Sequence, residues 1–311
     1  MTHFLSFTWN FYDGLDLGFY TLHYYSLMFV VAFGLGWIIT KKIFDREGES
    51  VEKLDKLLVY VIVGTMIGAR LGHVIFYQPE LFKEDFVSVF LPIKLNPHFE
   101  FTGFTGLASH GAAFAVIMAV IYYSKKVIHR PVLWVLDRIT LSVACGGIFV
   151  RLGNFLNSEI LGRITSADTA TAVRFVQDKD LISHGAAVRI TGEENAAKAY
   201  QLIQHDTRFA DILAKVPFRY PAQLFEAFGY VFVFAILFYM YWKTDARKHH
   251  GLLFGVFLIL LWSVRFLVEF VKESQGGFDS FGLLTGQWLS LPFIAVGIWL
   301  VFTAKNRTET L

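Results

Sequence analysis

The chain has 311 residues, 55% of them hydrophobic and 17% charged, with a mean hydropathy of +0.49; a soluble domain carries about 25% charged residues. This composition excludes a disordered chain, and a net charge of +2 is too balanced to attract nucleic acid. The apolar residues are gathered into long blocks parted by short polar connectors, the pattern that lipid selects when it is the solvent.

Roughly 20 apolar residues cross a hydrocarbon core, and seven blocks approach that length, at about 18–40, 57–77, 107–124, 132–150, 222–242, 252–271 and 287–303. The expected fold is an all-α polytopic membrane protein with seven transmembrane helices. Residues 1–17 contain no lysine or arginine and lead into span 1 without a small-residue cleavage site, so span 1 is expected to persist as a signal anchor. The connectors after spans 1, 3 and 5 and the C-terminal tail hold five, three, three and two lysines or arginines, whereas connectors 78–106 and 272–286 hold only Lys83, Lys94 and Lys272. By the positive-inside rule the N-terminus lies outside and the C-terminus in the cytoplasm.

Connector 151–221 carries nine lysines and arginines, but a loop of this length translocates regardless of charge. Within it, 173–176 and 186–190 read as strands, and Thr191 with Glu194 reads as a capping box opening a helical run over 193–215. The expected organisation is spans 1–4 in 1–163, a small α/β periplasmic cap in 164–216, and spans 5–7 in 217–311 completing one membrane domain. The lone Cys145 sits inside span 4, where a thiol serves as packing.

Ionisable groups inside spans are costly and need a reason to be there. They include His23, Arg70, His73, His110, Asp137, Arg138, Arg151, Arg265 and Glu269. Asp137 and Arg138 lie near the cytoplasmic end of span 4, where the arginine can snorkel and the carboxylate can stay hydrated. Arg265 and Glu269 are four apart on one helix face; a self-contained ion pair is the plain alternative to a functional role. Arg151 and Asn154 share a face, and Asn157, Glu159 and Arg163 follow where span 4 reaches the surface. Such a density of polar groups suits a phosphate or polar headgroup, the alternative being a solvated helix end. His110 opens span 3 in Gly106-Leu-Ala-Ser-His-Gly-Ala-Ala113, where small residues allow close approach; the alternative is a hydrogen bond to a neighbouring helix. His23 and His73 read as structural. No metal-ligand spacing, Walker loop or dinucleotide fingerprint is present in the sequence.

Arg151-Leu-Gly-Asn-Phe-Leu-Asn-Ser-Glu159 followed by Gly162-Arg163 resembles the signature of bacterial phosphatidylglycerol:prolipoprotein diacylglyceryl transferases. Further blocks match in order: Leu22-His-Tyr-Tyr25, Gly68-Ala-Arg-Leu-Gly72 with Tyr77, Ser109-His-Gly111, Arg219-Tyr-Pro-Ala-Gln-Leu-Phe-Glu226, Arg265-Phe-Leu-Val-Glu269 and Gly286-Gln-Trp-Leu-Ser-Leu-Pro292. The resemblance covers the whole chain apart from the cap. The chain departs from the family pattern at Ala112, at Ser26 and at Leu261-Trp262, where the family commonly has Gly, Gly and a nearby tyrosine.

The resemblance implies transfer of the diacylglyceryl group of phosphatidylglycerol to the lipobox cysteine of a prolipoprotein in the bacterial inner membrane; no metal or organic cofactor is implied, and the chain is expected to act as a monomer. It also implies site roles. Arg151 and Arg265 take the phosphate, with Glu269 orienting Arg265, and Asn154 and Glu159 hold the headgroup glycerol. Asn157, Gly162 and Arg163 belong to the same substrate-binding stretch, and Tyr25, Arg70, Arg219 and Gln223 either support the residues that touch substrate or orient the lipid. A thiol has an unperturbed pKa of about 8.5, and His110, as an imidazole near 6.5, is a base suited to neutral pH; a thiolate polarised by arginine is the rival. A transporter or channel, and a lipid phosphatase or other headgroup transferase, are the competing classes. No repeat relates 18–150 to 222–303, and the polar residues gather toward the outer half, which weighs against a transporter.

Overall fold

A computed structural model describes residues 6–11, 14–16, 21–90, 93–94, 100–101, 108–273 and 282–308. Among the described residues, seven helices are long and apolar enough to cross a membrane: Tyr24–Glu47, Val51–Tyr77, Gly111–Ile128, Val132–Leu156, Ala222–Lys243, Leu252–Val271 and Thr285–Arg307, taken below as spans 1 to 7. The strands are β1 Phe7–Trp9, β2 Gly14–Asp16, β3 Thr21–His23, β4 Ile93–Lys94, β5 Glu100–Phe101, β6 Ile164–Thr165, β7 Val173–Phe175 and β8 Phe218–Arg219. The chain forms two compact bodies, Trp37–Ile139 and Met1–Gly36 with Thr140–Leu311.

In the body of residues 37–139, span 2 begins at an N-cap, where the Ser50 side chain accepts a hydrogen bond from the Lys53 amide, with Glu52 complementing the helix dipole. Spans 2 and 3 then cross on a stripe of small residues. A Cβ added at Gly72 would lie 2.7 Å from the Gly111 Cα, and one at Gly64 would lie 3.3 Å from the Ala119 Cβ. Lipid tails are as apolar as the helices, so this close backbone approach, and not burial from water, holds the pair. At the ends of spans 1 to 4, the Glu49 carboxylate receives Lys53 Nζ at 2.6 Å and Arg130 Nε at 3.0 Å, clamping two turns together. Burial alone would raise the Glu49 carboxyl; the hydrogen bonds from Lys53 and Arg130 more than reverse this and hold it below the usual carboxylate range.

The expectation for Asp137 and Arg138 is corrected here. Both are 0% exposed. Arg138 pairs with Glu47 at 3.2 Å and its guanidinium lies 4.3 Å from the centre of the Trp134 ring. A carboxylate from span 1 comes to the arginine, so the arginine has no need to snorkel.

The other body carries a four-stranded sheet and the 164–216 segment. Its sheet has the order β1-β7-β8-β6: β1 runs parallel to β7 with Phe7 opposite Val173, β8 is antiparallel to β7 with Arg219 opposite Val173, and β6 is antiparallel to β8. The N-terminal strand and the 164–216 segment therefore share one side. Gln177 Nε2 fastens them by donating to Asn10 Oδ1 at 2.9 Å and to the Phe11 carbonyl at 2.7 Å. Phe155, Val173 and Phe175 bury together against Trp9, Leu161 and Leu224, joining the sheet to the ends of spans 4 and 5. The segment also has an apolar core of its own, built on Val176, Ile182, Ala199, Tyr200, Ile203 and Val216.

Residues 186–190, expected as a strand, lie inside the helix His184–Thr191, and 193–215 is not one helical run but the helices Ala196–His205 and Ala210–Lys215 with a 3-10 turn between them. Local caps decide both. Ser183 caps the first helix and Gly192 ends it at φ 75°, which an alternating apolar run cannot override. Thr191 opens no helix: its hydroxyl donates back to the Ala187 carbonyl and accepts from the Glu193 amide, and Asn195 is the N-cap of the next helix.

Span 1 starts at Tyr24, six residues later than the apolar block, because Thr21–His23 pairs with Gly14–Asp16 as a hairpin. It runs on to Glu47 because the lysines and arginine that follow the apolar block are good helix formers and suit a helix C-terminus. Span 4 likewise continues past the expected end to Leu156. Spans 6 and 7 meet at Gly255 and Gly297, where an added Cβ would lie 2.9 Å and 2.7 Å from the facing carbonyl oxygen. Large apolar side chains such as Phe302 and Phe228 point outward as the lipid-facing surface.

Candidate active site

The last turn of span 4 and the loop after it carry the densest polar group. Arg151 projects Nε to Glu226 Oε2 of span 5 at 2.7 Å and Nη1 to Asn154 Oδ1 at 3.3 Å. Tyr25 of span 1 has Asn154 in hydrogen-bonding reach, and Tyr230 of span 5 reaches Arg151. Three spans thus converge on one guanidinium. Glu226 is 1% exposed, so the pair is desolvated and worth far more electrostatically than a surface pair.

Beyond Leu156 the chain turns sharply. Ser158 and Ile160 both adopt left-handed φ, 51° and 57°, a conformation that costs each of them about 1–2 kcal/mol. Asn157 Nδ2 donates to Glu159 Oε1 at 2.5 Å, the Glu159 amide donates to the Asn154 carbonyl at 2.9 Å, and Gln223 Nε2 donates to the Glu159 carbonyl. This strained turn is fixed by its neighbours, which holds Asn154, Asn157 and Glu159 close together.

Gly162 is enclosed by backbone, with Tyr220 and the Val271 carbonyl around it, and it bridges to Lys272. Arg163 donates from its amide to the Val271 carbonyl at 2.8 Å and from Nε to the Lys272 carbonyl at 3.0 Å. Lys272 follows span 6, is 4% exposed, and sets its ammonium 3.9 Å from Glu226 Oε1 and 3.7 Å from Glu269 Oε2. Burial pushes that ammonium below the ordinary lysine range; Arg151 and Arg265 add to the shift, and Glu226 and Glu269 oppose it. Glu269 fits against span 7 only because position 286 is glycine, whose missing Cβ would collide with the carboxylate.

Arg265 and Glu269 do not form the self-contained pair that their spacing allows. Glu269 turns to Lys272, and the Arg265 guanidinium lies 5.1 Å from the centre of the Trp262 ring, itself stacked on Phe293 at 4.1 Å. Among the described residues Arg265 has no carboxylate partner. What converges is therefore a set of three cations, Arg151, Arg265 and Lys272, with two carboxylates, Glu226 and Glu269. Such a set can hold an anionic oxygen group, and arginine's planar fork matches a phosphate.

The prolipoprotein diacylglyceryl transferase family model matches residues 14–303, nearly the whole chain. The chain belongs to this family. It is 33% identical over 297 residues to the phosphatidylglycerol–prolipoprotein diacylglyceryl transferase of Tolumonas auensis, covering 95% of this chain and 96% of that one. The protein of the same name from Porphyromonas gingivalis is 34% identical over 311 residues, covering 97% and 96%, and that from Chloroherpeton thalassium is 33% identical over 300 residues, covering 96% and 93%.

Within this family chain, two residues of the other body were expected at the site. His110 stands in the first turn of the helix that begins at Ser109; its side chain lies outside the described residues. Arg70 donates from Nη2 to the Ser88 carbonyl at 2.6 Å, and with Val63, Met66, Ile67, Val89 and Phe90 it lines a cleft of about 160 Å³. His73, read as structural, stacks on Tyr77 with centroids 5.2 Å apart. Among the described residues no group of three His, Cys, Asp or Glu side chains could hold a metal ion.

Arg219, expected either to support the site or to orient lipid, is held by protein groups. Its Nε donates to Asp178 Oδ2 at 3.0 Å, and its Nη1 to Glu273 Oε2 at 2.6 Å and to the Gly162 carbonyl at 3.2 Å. Burial raises the Asp178 carboxyl above its usual range even with Arg219 opposing the shift. This trio braces the cap against the segments that follow spans 4 and 6. Replacing Arg219 by glutamine strands Asp178, and removing one partner of a buried pair costs about 3–5 kcal/mol. The expected result is faster limited proteolysis within 164–216; an unchanged digestion rate would show that the cap is held by other means.

Glu226, Tyr230 and Lys272 join the site without having been singled out from sequence. Glu226 ended a quoted motif, which was the available signal. Lys272 had counted only as one of the few outer cations.

Proposed function

We propose that this chain transfers the diacylglyceryl group of phosphatidylglycerol to the lipobox cysteine thiol of exported prolipoproteins, forming a thioether and releasing glycerol 1-phosphate, the first step of bacterial lipoprotein maturation. The observation that carries this reading is the set of half-buried Arg151 and Arg265 with buried Lys272, which holds one positive charge in excess over buried Glu226 and Glu269. The thiolate sulfur bonds to the glyceryl carbon that carries the phosphate, while the bond from that carbon to the phosphate oxygen breaks. Its electron pair leaves with the phosphate, whose charge rises from one toward two. Cations held at that oxygen stabilise the transition state more than the bound lipid, which is the condition for a rate gain.

In this reading Arg151 and Arg265 grip the phosphate, Asn154, Asn157 and Glu159 hold the glycerol, and Tyr25 steadies Asn154. Gln223, Gly162 and Arg163 brace the turn that presents them. His110 takes the thiol proton, and Arg70 orients lipid from its own cleft. The protein works as a monomer in the bacterial inner membrane, with its N-terminus and cap outside, where both lipid and translocated precursor are presented.

Incubating mass-tagged phosphatidylglycerol with a lipobox peptide and the purified protein tests the function. A thioether-linked peptide with free glycerol phosphate supports the transferase. Free diacylglycerol would replace it with a hydrolase, and no product would favour a transporter. For the base, His110→Gln is expected to abolish transfer while phosphatidylglycerol binding persists. Full activity in that variant would assign deprotonation to an arginine-polarised thiolate.

A further inference from the structure

Two glutamates beside two arginines pose a problem for an anion site. Arg151 is already held by Glu226 at 2.7 Å, and Glu269 is the nearest carboxylate to Arg265 in sequence. Two positive and two negative charges would leave nothing over for a phosphodiester, and would leave still less for the dianion that departs.

We propose that Lys272 is a positioning residue for the phosphate: its ammonium, set between the Glu226 and Glu269 carboxylates, offsets their charge and so leaves Arg151 and Arg265 acting as net cations. This rests on the transferase reading and deepens it. The ammonium is shared between two carboxylates, at 3.9 Å and 3.7 Å, on a side chain that is 5% exposed. Its backbone is tied on both edges. The Lys272 amide donates to the Glu269 carbonyl at 3.2 Å, its carbonyl accepts from Arg163 Nε at 3.0 Å, and it bridges to Gly162. The signature loop after span 4 thus holds this lysine in place as well as supplying its own polar side chains.

Fold stability does not explain the arrangement. Replacing a buried ion set with apolar residues is often neutral or stabilising, so a lysine kept at this depth has a use other than holding the helices. The burial that depresses its pKa marks the strain under which the charge is kept. Arg151 and Arg265 both lie within electrostatic range of Lys272, so the excess positive charge is local to them.

The test uses the full chain purified in detergent, as wild type, K272M, K272R and K272M/E269Q. Wild-type transfer from phosphatidylglycerol to a lipobox peptide is measured first; if wild type makes no thioether, the transferase reading fails on its own account. Two ligands then separate charge from shape, glycerol 1-phosphate as the anionic product and diacylglycerol as the neutral portion of the lipid. K272M is expected to weaken glycerol 1-phosphate about tenfold or more and to leave diacylglycerol within about twofold. Its kcat falls more than its KM rises, because the surplus charge matters most at the transition state. K272R, which keeps the charge, recovers both, and K272M/E269Q, which restores one positive charge in excess, recovers glycerol 1-phosphate binding. The proposal is overturned if K272M binds glycerol 1-phosphate as wild type does, loses diacylglycerol equally, or is not improved by either K272R or the double substitution. Should K272M not fold, E269Q and K272M/E269Q carry the same comparison. E269Q is then expected to bind glycerol 1-phosphate more tightly than the double variant, and equal affinities would overturn the proposal.

Discussion

Replacing Arg265 by lysine is expected to lower kcat for diacylglyceryl transfer by about two to three orders of magnitude, the loss that follows removal of one preorganised donor from a developing anion. Arg151 shares its charge with Glu226 at 2.7 Å, whereas Arg265 has no carboxylate partner among the described residues and rests over the Trp262 face at 5.1 Å. The Trp262 ring, backed by Phe293, attracts the guanidinium without neutralising it. Lysine keeps the charge but loses both the fork that meets two phosphate oxygens and the flat surface that stacks. The loss should appear in kcat at saturating phosphatidylglycerol, with KM changed less, because the second hydrogen bond strengthens as the phosphate gains charge. Unchanged turnover would show that a point charge suffices at this position.

Seven spans were legible because lipid leaves no alternative to an unbroken apolar helix, and composition alone reports that requirement. Their ends were less legible. Span 1 continues through Lys41, Lys42 and Arg46 to Glu47, since a helix stops where its caps stop it and not where hydrophobicity fades. In the cap, Ala186 to Ile190 has a strand-like alternation that Ser183 and Gly192 overrule. β1 has only three residues and exists through its pairing with β7, more than 160 positions away, a kind of contact that periodicity does not report.

The site divides along the same line. Arg151, Arg265 and Glu269 stood out because a charge inside a span is costly. Glu226 lies inside block 222–242 and carries the same signal, whereas Lys272 sits just past span 6, where a charge looks inexpensive; the importance of both comes from partners on other elements. Arg219 went the other way. Its motif marked it as important, but only its contacts with Asp178, Glu273 and the Gly162 carbonyl reveal a brace.

Gly162 concentrates that dependence in one position. A Cβ built there would lie 2.8 Å from the Tyr220 Cβ and 2.9 Å from the Val271 carbonyl oxygen, and closer still to the Tyr220 carbonyl. Two of these are backbone atoms, which have no rotamer to escape into. The constraint is one of room, because three chain segments meet at this residue: its amide donates to Tyr220, its carbonyl accepts from Arg219, and its strand edge bridges Lys272. Gly162→Ala is therefore expected to destabilise the protein by about 1–3 kcal/mol through overpacking, and Gly162→Val by more. In the fraction that folds, the displaced segments carry Lys272 and Arg163 with them, and a shift of about 1 Å at a reacting centre can cost about a hundredfold in rate. Thermal melting in detergent and kcat of the folded fraction measure the two effects separately. Wild-type values for Gly162→Ala in both would mean that the loop after span 4 has slack, so that the positions of Arg163 and Lys272 are set by span 6 alone.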